Sequence, residues 1–162
     1  MLLSLITTRF IFALALLVAL VSIANANVCD EHLSQIKLIP FEGNAGVDAH
    51  YDALKIAGKT AVPCLIANVT NMRRKPDPRS IPRWGSMRMT VGDAAVYMLA
   101  EVAGVDTIKM LPRRYRSLYK QIGVYARDEY LHDRRINRLI LQRKLWRWYR
   151  TTYLPSVRKG AT

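Results

Sequence analysis

Apolar residues recur at helical spacing along most of this chain. Tyr51 and Leu54 follow Val47 at steps of four and three, behind Asp48, whose short carboxylate suits an N-cap. Gly58 is placed to stop that helix. A second helix is predicted from Thr60 or Ala61, with Pro63 in its first turn and Val62, Leu65, Ile66 and Val69 on one face. So short a connection predicts that the second helix packs back on the first, making Asp48–Thr70 the centre of the fold. Thr90 reads as the cap of a third helix. Val91, Ala94, Ala95, Met98, Leu99, Val102 and Ala103 keep its stripe unbroken, and Gly104 ends it. Asp93 and Glu101 lie about 12 Å apart along that helix, too far for a carboxylate pair, so Asp93 reads as a first-turn acid facing the helix dipole.

The pattern continues to the C-terminal end. Pro112 opens a helix with Leu111, Tyr115, Leu118, Tyr119 and Ile122 as its stripe, and Gly123 interrupts it. Val124 to Tyr153 is helical by propensity. As one straight rod it would reach about 43 Å, so a break is predicted near Tyr130–Asp133. Leu141, Leu145, Trp148 and Tyr149 form its inner stripe, with Trp146 pointing away. Residues 156–162 read as a flexible basic tail. Before the central pair, Asn27 to Ile39 is predicted as a short helix with Leu33, Ile36 and Ile39 inward, followed by a loop with one proline and two glycines. The fold class is therefore all-α, a small antiparallel helical bundle or hairpin array.

The run Ala53-Leu54, Ile56-Ala57-Gly58, Ala61-Val62-Pro63, Leu65-Ile66, Val69 resembles a HEAT-like, armadillo-type helical repeat. Val91-Gly92-Asp93-Ala94-Ala95, Leu99-Ala100, Val102-Ala103-Gly104 resembles the first helix of a following unit. The likeness covers residues 48–104, with no third unit. It implies an all-helical, protein-binding scaffold and carries no catalytic residue.

Met1 to Ala26 reads as a cleaved signal peptide: Arg9, an apolar run from Phe10 to Ile23, then Ala24-Asn25-Ala26 as the cleavage site. The alternative is an uncleaved anchor, but the run is shorter than the roughly 20 residues of a membrane span. Residues 27–155 then form a single helical domain, exported to the periplasm if the source is bacterial and extracellular otherwise. Its two cysteines, Cys29 and Cys64, suit a bridge in an oxidising compartment; two separate thiols are the other reading.

Charge adds the functional clue. Residues 27–70 hold three Lys against five acids, whereas 107–162 hold fifteen Lys and Arg against three acids. Such asymmetry points to an anionic partner. Arg134, Arg135, Arg138, Arg143, Lys144, Arg147 and Arg150 run through the last helix among Trp146, Trp148, Tyr149 and Tyr153. The irregular segment Asn71–Met89 carries Arg73, Arg74, Lys75, Arg79, Arg83 and Arg88 around Trp84, with Asp77 as its single acid. Trp84 is either a contact anchor or a plug into the core. The residues assigned to partner binding are Arg73, Arg74, Lys75, Arg79, Arg83, Trp84, Arg143, Trp146, Arg147 and Arg150.

An acidic protein fits this layout. An anionic lipid surface, met through the basic aromatic last helix, is the alternative, and nucleic acid suits an exported chain least. His32, His50 and His132 are far apart in sequence, without metal-ligand spacing. No nucleophile motif or phosphate loop occurs, and nothing points to a cofactor or to catalysis. The expectation is a non-catalytic binding protein, of inhibitor or immunity type.

Overall fold

The computed structural model describes residues 29, 31–36, 48–73, 90–123, 125–132 and 134–159. Among them the chain is all-helical, with no strand. Helix α1 spans residues 31–35 and turns Leu33 into the core, with Ile36 buried just beyond it. The expectations for the signal peptide, for Ile39 and for the segment from Arg74 to Met89 lie outside the described residues.

Helix α2 (Ala49–Ala57) starts as its cap predicts: Asp48 Oδ1 accepts from the amides of His50 at 2.9 Å and Tyr51 at 3.1 Å. Gly58 takes φ +55° and ψ −127°, a conformation that a side chain would oppose. A 3-10 turn (Gly58–Ala61) then leads into α3 (Val62–Asn68). The stripe Val62, Leu65, Ile66 and Val69 is fully buried, each side chain contributing about 1.5–3 kcal/mol of transfer free energy. The packing differs from the expected hairpin. Beyond Gly58 the turn keeps helical dihedrals, and α3 lies chiefly against α4 rather than folding back on α2.

Helix α4 (Val91–Ala103) is the enclosed one. Val91, Gly92, Ala94, Ala95, Val96, Met98 and Leu99 are all buried, so it is apolar nearly all round, and both α2 and α3 pack on it. Its start is fixed by a reciprocal capping box. Thr90 Oγ1 accepts from the Asp93 amide at 3.1 Å, and the Thr90 amide donates to Asp93 Oδ2 at 2.8 Å. The end of the preceding segment is stitched alongside: the Val91 amide donates to Arg73 O and the Gly92 amide to Asn71 O, both at 2.9 Å.

A 3-10 turn (Ile108–Met110) leads to α5 (Arg113–Ile122), which packs on α6 (Tyr125–Leu131). The predicted break follows: Arg134 leaves helical geometry at ψ 84°, and Asn137 Nδ2 donates back to Tyr130 O at 2.7 Å. Helix α7 (Arg135–Trp148) packs against α3 and α6, with Leu141 and Leu145 buried. A π-helical turn (Tyr149–Tyr153) then precedes α8 (Leu154–Lys159). Pro155 accounts for it. Proline has no N–H and its ring crowds the carbonyl four residues back, so a wider turn just before it relieves the clash. The helix consequently runs through residues 156–159, where the sequence predicts a flexible tail.

Cys29 and Cys64 form a disulfide with Cα atoms 6.2 Å apart, tying the chain at the edge of α1 to α3. The bond suggests an oxidising, exported compartment. Among the described residues no helix is long and apolar enough to cross a membrane.

Candidate interaction surface

Helix α7 sorts its arginines between two faces. Arg138, Leu141 and Leu145 recur at steps of three and four and are buried. On the opposite side Ile136, Ile140, Arg143 and Arg147 recur at steps of four, three and four, and Arg150 follows at the start of the π turn. Ile136 is 63% and Ile140 38% exposed, and all three arginines are exposed. No Asp or Glu follows Asp133 in the sequence, so these arginines have no acid on their own helix to pair with. Lys144, one residue from Arg143, is engaged: its Nζ donates to Met110 O. Trp146 is half-buried, edge-on to Tyr149 at 5.8 Å between centroids and packed on the core, rather than pointing away. Trp148 and Tyr149 are likewise half-buried; Tyr149 stacks on Tyr153 at 5.9 Å between centroids, and Trp148 lies tilted against the same ring at 5.1 Å.

The structure corrects the reading of Arg138 as part of the cationic surface. It is 1% exposed, and its Nη2 donates to Asp93 Oδ1 at 2.6 Å. Nη1 reaches Val69 O at 3.4 Å, while Nε is buried with no hydrogen-bond partner. Asp93 therefore serves the cap and a buried ion pair at once. Gly92 makes room for this guanidinium. A Cβ there would lie 2.8 Å from Arg138 Nη1 and 2.4 Å from Val69 O.

Arg127 is a second buried arginine that the sequence reading missed. Its guanidinium lies 3.9 Å from the centroid of the Tyr97 ring and its Nε is 3.4 Å from Asp128 Oδ1. The Tyr97 hydroxyl donates to Asp128 Oδ2 at 3.2 Å. Burial raises the Asp128 carboxyl above its ordinary value; Arg127 pulls it down in part and the Asp93 charge pushes it up. Burial, reinforced by the Asp128 charge, also holds the Tyr97 phenol well above the usual tyrosine range. Tyr51 is pushed up to about 12 by burial and by the Glu101 charge.

The fold also unites two histidines that are far apart in sequence. His32 and His50 face each other with Nδ1 atoms 3.0 Å apart and ring centroids 5.3 Å apart. A ring atom lies about 1.2 Å from the centre of an imidazole. The two nitrogens therefore sit nearly on the line joining the rings, the geometry of a shared N–H···N hydrogen bond. Among the described residues no three His, Cys, Asp or Glu side chains gather as metal ligands. Arg73 is exposed at the edge of the basic segment, and its backbone amide donates to Asn71 Oδ1 at 3.1 Å. Arg74, Lys75, Arg79, Arg83 and Trp84 lie outside the described residues. Comparison with family models, with characterised proteins and with solved structures gives no match.

Proposed function

We propose that this is a non-catalytic, exported helical binding protein that engages an acidic protein partner through Arg143 and Arg147 of α7 and Arg150 of the π turn after it, in the manner of an inhibitor or immunity-type protein. Its scaffold in this reading is a small HEAT-like helical array. One observation carries the proposal: Arg143, Arg147 and Arg150 stand exposed along one side of a helix that contains no acid. Like charges three and four positions apart repel by about 0.2–0.5 kcal/mol per pair, a cost that a set of opposed carboxylates reverses. The aromatic residues of the same segment favour a protein over a lipid surface here. Trp146 and Trp148 are packed on the core, which leaves the arginines as the accessible feature. Arg73 and the basic residues after it extend the cationic character of the chain.

The test is affinity capture from the oxidising compartment of the source, at low and high salt, with the disulfide intact. The wild-type chain is expected to retain a specific acidic protein at low salt and release it as charges are screened. Arg143→Glu/Arg147→Glu/Arg150→Glu is expected to abolish capture while leaving the circular dichroism spectrum unchanged. Recovery of no protein at either salt, or equal recovery by the charge-reversed variant, overturns the reading.

A further inference from the structure

Helix α5 is divided more sharply than any stripe in α7. Tyr115, Leu118, Tyr119 and Ile122 share one side, at steps of three and four; Arg113, Arg114, Arg116 and Lys120 occupy the other, and no acid interrupts them. Yet no side chain of α5 is buried. Coverage of the apolar side fades along its length. Leu111, just before the helix, is 2% exposed, and Tyr115 meets Tyr130 edge-on at 4.9 Å. One turn further on Tyr119 is 40% exposed, Ile122 is 40% exposed, and Tyr125 at the start of α6 is 49% exposed.

We infer that the open side of α5, with Tyr119, Ile122 and Tyr125, is a docking surface for an anionic lipid headgroup layer. Low overall hydrophobicity, a cleanly separated apolar side and a polar side of Arg and Lys are the physical requirements of a helix that lies in a membrane interface. The tyrosines suit the boundary because each presents an apolar ring and a polar tip. Arg116 borders the Tyr119 edge of the apolar side and Arg114 borders the Leu118 edge, so both guanidiniums can reach phosphates as the apolar residues enter. The charge is complementary: α5 holds four basic residues and no acid, on a chain whose formal net charge is +13. The chain would lie on the layer rather than span it. This surface is separate from the arginines of α7 and stands or falls without them.

Sedimentation of the full oxidised chain with vesicles tests the inference, using phosphatidylglycerol mixed into phosphatidylcholine against phosphatidylcholine alone. Binding is expected to the mixed vesicles at low salt, weakening as salt rises, with little to the neutral ones. Tyr119→Ser/Ile122→Ser and Arg114→Gln/Arg116→Gln are each expected to lower partitioning by about tenfold or more. Arg143→Gln/Arg147→Gln is expected to leave it within about twofold. These side chains are exposed, so unchanged circular dichroism confirms that each variant folds. No binding to the mixed vesicles at low salt overturns the inference. So does a loss confined to the α7 variant, or binding that ignores the Tyr119 and Ile122 changes. If light scattering shows a dimer that Tyr119→Ser/Ile122→Ser converts to a monomer, the surface joins two copies of the chain and the inference is likewise overturned.

Discussion

Breaking the ion pair between Asp93 and Arg138 has an asymmetric cost that the geometry fixes. Arg138 is 1% exposed at its side chain and Asp93 18%. Asp93→Asn keeps the size of the side chain and removes its charge. The buried guanidinium is then left without its opposing charge, with only neutral acceptors, an amide oxygen and Val69 O at 3.4 Å, and with Nε already without one. Removing one partner of a buried pair in this way costs about 3–5 kcal/mol. Arg138→Met removes the charge instead and keeps most of the stem volume. Asp93 then still accepts from the Thr90 amide and hydroxyl, both at 2.8 Å, and retains some contact with water. Its expected cost is on the order of 1 kcal/mol, because no unpaired charge is left in the core. Urea unfolding at neutral pH, with the disulfide intact, gives both values; equal slopes with denaturant would show that the unfolded states are comparable. The double variant should cost less than the two single costs added, with a coupling of about 2 kcal/mol. If Arg138→Met proves as damaging as Asp93→Asn, the arginine is held by its packing and not by this carboxylate.

Two other outcomes are expected. Reducing the Cys29–Cys64 bond, which joins residues 35 apart in sequence, should lower stability by about 4 kcal/mol in the chain-entropy model; a melting curve unchanged by reductant would refute this. For Asp128, the folded carboxyl keeps its proton to higher pH than the unfolded one, whose ordinary value is 3.8. The stability tied to this group is therefore full below that value and declines as pH rises through the raised one. Unfolding free energies measured across the mildly acidic range should show this fall in the wild type and a flatter profile in Asp128→Asn; identical profiles would refute the assignment.

What could be read from the sequence was periodic. The stripe Val62, Leu65, Ile66, Val69 and the long stripe of α4 each obey one spacing rule; the first is buried throughout and the second as far as Leu99, with Val102 and Ala103 half-buried. The break between α6 and α7 followed from length alone. The two buried arginines were hidden by composition, because a basic residue in a basic segment reads as solvent-facing. The available signal was register: Arg138 shares a face with Leu141 and Leu145, and Arg127 lies beside Ala126 and four residues before Leu131, all buried. The open side of α5 was illegible for another reason. Its apolar stripe predicts burial, but how much is covered depends on where α6 and the 3-10 turn run, which no local spacing encodes. The same holds for His32 and His50, joined only by tertiary packing. Of the candidate binding residues, Arg143, Arg147 and Arg150 were legible: helical spacing sets them across the helix from Leu141 and Leu145, the stripe that the sequence assigns to the core.

The phase of α7 leads to Gly92. Arg138 reaches across to α4 only because Gly92 lacks a side chain, and with Arg138 turned in, the residues on the far side of α7 are turned out. At an ordinary helix position, glycine to alanine stabilises by up to about 1 kcal/mol through backbone entropy. Here a Cβ would lie 2.4 Å from Val69 O and 3.0 Å from Asn71 O. Both are backbone atoms, and Asn71 O already accepts from the Gly92 amide. Neither can swing aside as the end of a side chain can, so α3 and the start of α4 would have to separate. Overpacking of this kind typically costs about 1–3 kcal/mol, which outweighs the entropic gain and makes Gly92→Ala destabilising. Combining it with Arg138→Met distinguishes the two obstacles. Taking away Nη1 removes the contact at 2.8 Å but not the carbonyl of Val69, so most of the penalty should persist. Urea unfolding of the four proteins measures this directly. If Gly92→Ala is instead more stable than the wild type, α3 and α4 do not meet at this glycine, and the inward register of Arg138 can no longer be what turns the arginines of α7 outward.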